Sequence, residues 1–178
     1  VCQLNPRHPE IKRSESTLTT FIPMAAIEES GRGIRAAKLR PYGEIRKGYT
    51  YFGEGDVLFA KITPCLQNGK HAIARKLTDG IGFGTTEFHV MRPGPRLTPE
   101  WLLNFLLQPS VLQGAQSHFA GTVGQQRVPA SYLADLSIPL PPLSEQKRIV
   151  AKLTEQMATI ERAREAAEAQ REAARLLL

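Results

Sequence analysis

From Leu143 to Leu178 the chain contains neither glycine nor proline, whereas Pro139, Pro141 and Pro142 crowd the residues just before it. Each proline fixes φ and lacks an N–H, so that segment must run extended. The stretch after the prolines can only be a helix: Ser144 can cap it, with Glu145 in the first turn. Val150, Leu153, Met157 and Ile160 recur at intervals of three and four, the seam of a coiled coil. Further along, Arg164 and Arg171 interrupt the heptad, and Ala163, Ala166, Ala167, Ala173 and Ala174 offer a narrow face for close approach. At 1.5 Å per residue the helix extends about 50 Å. Such a rod cannot bury its stripe on itself. It needs a partner helix, or it lies back on its own globule. The chain therefore reads as a globular domain over 1–143 and a coiled-coil helix for dimerisation or spacing over 144–178.

The globular part is large enough for a proper core, and 42 % apolar residues in 178 argues against wholesale disorder. No apolar run approaches the roughly 20 residues of a membrane span, and the opening lacks a signal-peptide layout. Cys2 and Cys65 have no metal-ligand spacing and fit a reducing, cytoplasmic setting. The net charge of +6 is unevenly spread: seven of the 23 Lys/Arg and six of the 17 Asp/Glu lie after Leu143. Residues 1–143 thus hold 16 positive against 11 negative charges. Between Arg32 and Lys47, Arg32, Arg35, Lys38, Arg40, Arg46 and Lys47 face only Glu44. A phosphate-binding surface needs such a basic globule, because much nucleic-acid affinity comes from counterion release. A merely soluble basic protein would carry the same charge.

Residues 1–16 read as a polar lead-in arm, and Thr17–Met24 as a strand ended by Pro23. Ala25–Lys47 reads as a loop with at most short structure, bearing the basic cluster. Val57–Ile62 is a strand with Val57, Phe59 and Lys61 on one face and Leu58, Ala60 and Ile62 on the other. Lys61 therefore snorkels to water or meets an anion. A turn through Asn68-Gly69, next to Lys70, leads to a second strand over His71–Leu77, giving a hairpin with a long connection. Gly80–Thr86 places glycines at every second residue. With no helix pattern behind it, the run is a tight loop and not a dinucleotide fingerprint. Thr85–Met91 is a strand, and its Glu87 is either a structural carboxylate or an acceptor for a base.

Thr98 caps a helix with Pro99 at its first position and Trp101, Leu102, Phe105 and Leu106 as its buried stripe. Pro109 breaks it, and Ser110 opens a second short helix through about Ser117. Gly121–Val128 is a glycine-flexed polar loop. Its Gln125, Gln126 and Arg127 are of the types that contact adenine and guanine edges, though an ordinary polar turn has the same composition. The fold class is α+β: a mixed or antiparallel sheet with short helices, then one long helix.

Residues for chemistry are harder to find. No Ser/His/Asp arrangement, zinc spacing, phosphate loop or methyltransferase motif stands out, and His8, His71, His89 and His118 form no ligand pattern. No catalytic, metal or cofactor site is expected in this chain.

Four stretches in order carry a family resemblance. Leu136-Ser-Ile-Pro-Leu-Pro-Pro-Leu-Ser-Glu-Gln-Lys-Arg-Ile-Val150 is the most specific. With it come Gly55–Pro64, Thr85–Pro93, and Gly121–Val128 leading into Pro129–Leu136. Over about residues 17–170 the chain resembles one half of a DNA-specificity subunit of a type I restriction–modification system. The resemblance implies a target-recognition domain followed by a conserved helix, without catalysis of its own. In a full subunit two such units occur in tandem, their helices antiparallel, each reading one half of a bipartite double-stranded DNA site. S-adenosylmethionine would then belong to partner methyltransferase subunits, with restriction subunits joining the complete enzyme in a bacterial or archaeal cytoplasm.

This sequence holds one unit and opens on Val1. It is either a piece of a longer chain or a half-subunit that homodimerises and reads an interrupted palindrome. From residue chemistry, the phosphate contacts are Arg32, Arg35, Lys38, Arg40, Arg46, Lys47, Lys61 and Lys70, and the base contacts Gln125, Gln126 and Arg127. The helix contacts are Val150, Leu153, Met157, Ile160, Ala163, Ala167 and Ala174. The rival is a coiled-coil protein-interaction module whose charge serves only solubility.

Overall fold

The structure, a computed structural model, describes residues 1–31, 33–122 and 125–175. The chain divides into two units, Val1–Leu140 and Pro141–Leu178. The first contains strands β1 (Cys2–Leu4), β2 (Leu18–Ile22), β3 (Lys38–Pro41), β4 (Thr50–Gly53), β5 (Val57–Ala60), β6 (His71–Ile73), β7 (Ile81–Gly84) and β8 (Phe88–Pro93). Its helices are α1 (Tyr42–Ile45), α2 (Pro99–Leu106), α3 (Pro109–Ser117) and α4 (Ala130–Ala134). Helix α5 (Leu143–Arg175) belongs to the second unit.

The strands form two four-stranded sheets, β1-β8-β5-β6 and β3-β2-β7-β4. The first is antiparallel throughout, and the second is mixed because β2 and β7 run parallel. Strand β5 explains the layering. All four of its residues are fully buried, and its side chains alternate between two separate apolar clusters. Val57 and Phe59 join Met91, Leu102, Leu106, Val111 and Leu133 under the helices. Leu58 joins Val90 and Ala72 against Ile22 and Phe52 of the second sheet. Burying a side chain the size of Phe59 contributes about 1.5–3 kcal/mol. A third cluster, Phe21, Tyr42, Ile45 and Phe83, lies on the far face of the second sheet. The order is helices, first sheet, second sheet, and α1 with the N-terminal arm.

The expected faces of β5 and the long-connected β5–β6 hairpin are present, but β6 ends at Ile73 and not Leu77, and β8 begins at Phe88 and not Thr85. Helix α2 opens as expected, with the Thr98 hydroxyl accepting the Trp101 N–H at 3.2 Å. Leu102 and Leu106 are its buried positions, and Trp101 and Phe105 pack half-buried beside them.

Three expectations need correction. Gly80–Thr86 is no loop: Ile81–Gly84 is β7, an interior strand. Gly82 lies directly opposite Phe52, and a Cβ there would sit 2.4 Å from the Phe52 ring. A Cβ on Gly84 would meet the Ile22 carbonyl oxygen at 2.6 Å. The alternate glycines therefore clear one face for an aromatic ring and a neighbouring backbone. Ala25–Lys47 holds only short structure, as expected, including β3, which pairs with β2 from Lys38↔Phe21 to Pro41↔Leu18, and then α1. Residues 1–16 are no loose arm. β1 pairs with β8, and the His8 ring lies 4.9 Å from Tyr51, 5.3 Å from Phe83 and 5.9 Å from Tyr42. Helix α5 starts at Leu143, two residues before Glu145, so Ser144 lies inside its first turn and does not cap it; the Pro142 carbonyl accepts the N–H groups of Glu145 and Gln146. Strand β4 and helix α4 had no expectation at all.

Past α4, the chain still belongs to the first unit. Leu136 and Ile138 pack on the helix-side cluster, and Trp101 Nε1 donates to the Pro139 carbonyl at 2.9 Å. In the second unit, the 33 residues of α5 extend about 50 Å at the usual rise. Leu153, Met157 and Ile160 are exposed on it, as are Ala163 and Ala167, while Val150 is half-buried. The side chain of Ala174 lies outside the described residues.

Candidate nucleic-acid interface

The first sheet continues beyond its regular strands, and this continuation carries the loop of interest. Lys61 N–H donates to the Glu87 carbonyl at 2.9 Å, prolonging the β5–β8 pairing. On its other side, Val128 N–H donates to the Lys61 carbonyl at 2.9 Å and Thr63 N–H to the Gln126 carbonyl at 3.0 Å. Arg127 and Ala120 then exchange two backbone hydrogen bonds at 2.9 and 3.0 Å. Backbone order across this extension is Glu87, Lys61–Thr63, Gln126–Val128, Ala120. It sets the Lys61–Thr63 segment beside Gln126–Val128, residues separated in the chain by more than 60 positions.

The Arg127 side chain crosses the Lys61–Thr63 segment to reach Glu87. Nε donates to Oε2 and Nη2 to Oε1, both at 2.8 Å, and Nη1 donates to the Gln125 carbonyl at 3.0 Å. These charge-assisted bonds hold the Glu87 carboxyl below the usual carboxylate range and raise Arg127. Glu87 therefore has the structural role, through a guanidinium forty residues away.

Behind the pair, His89 Nε2 lies 2.9 Å from the Val128 carbonyl and Nδ1 3.3 Å from the Asn5 amide. Asn5 Oδ1 accepts from Val90 N–H, so its amide nitrogen is the donor to Nδ1. The network assigns a neutral ring protonated at Nε2, and burial lowers the His89 pKa in agreement. Gln125 is exposed and Gln126 half-buried, and among the described residues neither side-chain amide has a partner.

The second basic group lies on the β3 edge of the other sheet. Arg40 stands over the rings of Phe21 (5.2 Å) and Tyr49 (5.9 Å), and its Nη2 meets Glu44 at 2.9 Å. Arg46 pairs with Glu15 at 2.6 Å and Arg35 with Glu28 at 2.9 Å. Three expected phosphate contacts thus carry their own counter-ions. Lys38 and Lys47 are exposed and have no ion pair among the described residues. Lys70 is tied inward, its Nζ donating to the Ile27 carbonyl at 3.2 Å. Arg32 lies outside the described residues. The sequence had placed Arg32–Lys47 in one loop; the structure sets Lys38 and Arg40 on β3, and Arg46 and Lys47 just after α1.

Among the described residues, neither cysteine is a poised nucleophile. Burial pushes the Cys2 thiol up to about 11 and also raises Cys65. Among the described residues no group of three or more His, Cys, Asp or Glu could hold a metal ion, and no helix is long and apolar enough to cross a membrane.

A two-sheet α+β domain with a loop-borne polar face, followed by one long helix, defines the class. The chain belongs to the type I restriction modification DNA specificity domain family, whose sequence pattern matches residues 1–170. It is 38 % identical over 158 residues to the specificity subunits of the type I restriction enzymes EcoAI and EcoEI of Escherichia coli. Those matches cover 88 % of this chain but 26 % of either relative, so the chain spans about a quarter of their length. The HsdS subunit from Thermoanaerobacter tengcongensis superposes with a TM-score of 0.72 and 25 % identity, over 89 % of this chain and 40 % of that one. A chain from a structure on complex assembly and conformational transition of the type I R-M system shares the fold, with a TM-score of 0.63 and 23 % identity, over 96 % of this chain and 40 % of its own.

Proposed function

We propose that this chain is a DNA-reading unit that chooses one half of a bipartite duplex site for a type I restriction–modification enzyme and performs no catalysis itself. The observation that supports the reading is the pairing of the Lys61–Thr63 segment with the partly exposed 125–127 loop; in this reading Lys61 holds a phosphate and the loop side chains read bases. Phosphate contacts position such a domain, and base contacts specify its sequence. Lys38 on β3 and Lys47 after α1 add cationic charge elsewhere on the domain.

In this reading methyltransferase subunits carrying S-adenosylmethionine, and restriction subunits where present, act where the unit directs them, in the cytoplasm. The exposed stripe Leu153, Met157 and Ile160, with Ala163 and Ala167, takes a second helix, either from a second copy or from a tandem unit. A twofold pair would place identical readers on the target and demand an interrupted palindrome.

Salt titration of binding to random duplex DNA tests the reading. A linear fall of log K with log salt is expected, with a slope set by the number of neutralised phosphates. Salt-independent or absent binding favours the protein-interaction module.

A further inference from the structure

The hydrogen bonds of Arg127 leave a specific pattern exposed. A guanidinium has five N–H groups. Glu87 takes one from Nε and one from Nη2, and the Gln125 carbonyl takes one from Nη1. One hydrogen remains on each terminal nitrogen, and the side chain is 42 % exposed. Two donors on neighbouring nitrogens are the complement of guanine O6 and N7 in the major groove, the most common specific contact to a base.

We infer that Arg127 reads a guanine in the target half-site, and that Glu87 is a positioning residue that fixes the plane of the guanidinium beforehand. The inference rests on the DNA-reading proposal and goes further, naming one base and the two residues that choose it. Preorganisation is the physical advantage. A lone arginine on a glycine-flexed loop would lose rotamer freedom when it bound, whereas here the carboxylate already holds one edge. Glu87 also lowers the local positive charge, which weakens attachment to phosphates of any sequence and favours the base contact. Glu87 is ionised at neutral pH like any carboxylate, and the Arg127 pair lowers its pKa further.

The test is selection from a random duplex pool by the chain and by Arg127→Lys, Arg127→Ala and Glu87→Gln, with melting curves to establish folding. Wild type should enrich a guanine at one position. Arg127→Lys, which keeps the charge but loses the planar fork, should reduce that preference about tenfold and leave other positions intact. Glu87→Gln should also relax that position, while binding to non-specific duplex stays equal or tightens because a negative charge is gone.

A scaffold role alone would weaken all sequences alike and would not tighten non-specific binding. A wild-type selection with no guanine sensitive to Arg127→Lys overturns the inference, as does Glu87→Gln with unchanged preference. Either result with normal salt-dependent binding leaves the broader DNA-reading proposal standing. Loss of salt-dependent binding by wild type removes both.

Discussion

Asp56 and Arg92 form a bidentate ion pair at the crossing between the two sheets, Nε to Oδ1 at 2.8 Å and Nη2 to Oδ2 at 2.7 Å. Asp56 is buried in the turn that leaves β4 for β5, and its Oδ2 also accepts the Gly53 N–H at 2.7 Å. Arg92 stands on β8 with its side chain 36 % exposed. Asp56→Ala would strip a buried backbone N–H of its acceptor, although Arg92 could rehydrate. The expected loss is about 2 kcal/mol in a denaturant titration. Asp56→Asn, which can still accept from Gly53, should cost less.

The second sheet depends on the absence of side chains at β7. Gly82→Ala should destabilise the fold by about 1–3 kcal/mol through collision with the buried Phe52 ring. Gly82→Ala combined with Phe52→Leu should recover part of that loss in thermal melts. Gly84→Ala meets a backbone carbonyl that cannot rotate away, so it should be the more severe variant.

Acid should weaken the fold through His71. Its ring is fully buried, stacks on Phe59 at 4.2 Å and accepts the Ala60 N–H at Nδ1. Burial lowers its pKa to about 4. Between about pH 6.5 and 4 the unfolded chain binds a proton that the fold excludes, so stability falls as pH drops, by up to about 3 kcal/mol. His71→Asn should be less stable at pH 7 yet show a flatter profile across that window. His8 and His89, also lowered by burial, should leave a residual slope.

Basic residues should divide by whether they already have a counter-ion. Lys38→Ala and Lys47→Ala should each reduce the salt dependence of duplex binding by nearly one unit of slope. Arg46→Ala should change it less, because Glu15 already neutralises Arg46. Binding isotherms at several salt concentrations would show the ranking.

Helix α5 should reveal its partner through its exposed stripe. Where a second copy supplies the partner helix, Met157→Glu with Ile160→Lys should abolish self-association in sedimentation measurements and leave the melting of the first unit nearly unchanged. Both side chains are more than half exposed, so neither contributes much to the fold of a single copy.

Legibility varied with the range of the forces involved. Helix α2 was readable because Thr98, Pro99 and the Trp101–Leu106 stripe act within two turns. The two faces of β5 followed from strand alternation and matched the clusters on either side. Gly82 and Gly84 misled because the same spacing serves a loop or an interior strand, and only Phe52 on β4 distinguishes them. β3 carries the charged Lys38-Leu39-Arg40 run and became a strand through its partner β2. For the candidate interface, Gln125, Gln126, Arg127, Lys61 and Glu87 were each noticed separately. Nothing local could say that Arg127 reaches Glu87, since the pair depends on a backbone crossing between them.

The sequence by itself determined the helix after Pro142, the alternation of β5 and the family, because propensity, period and motif order are local properties of the chain. Tertiary structure alone decided which arginines keep their own counter-ions and which lysines do not. It also brought Lys61, Glu87 and Arg127 together at one end of the first sheet. Ion pairs form between side chains brought together by packing, so their partners can be known only after the sheets are assembled.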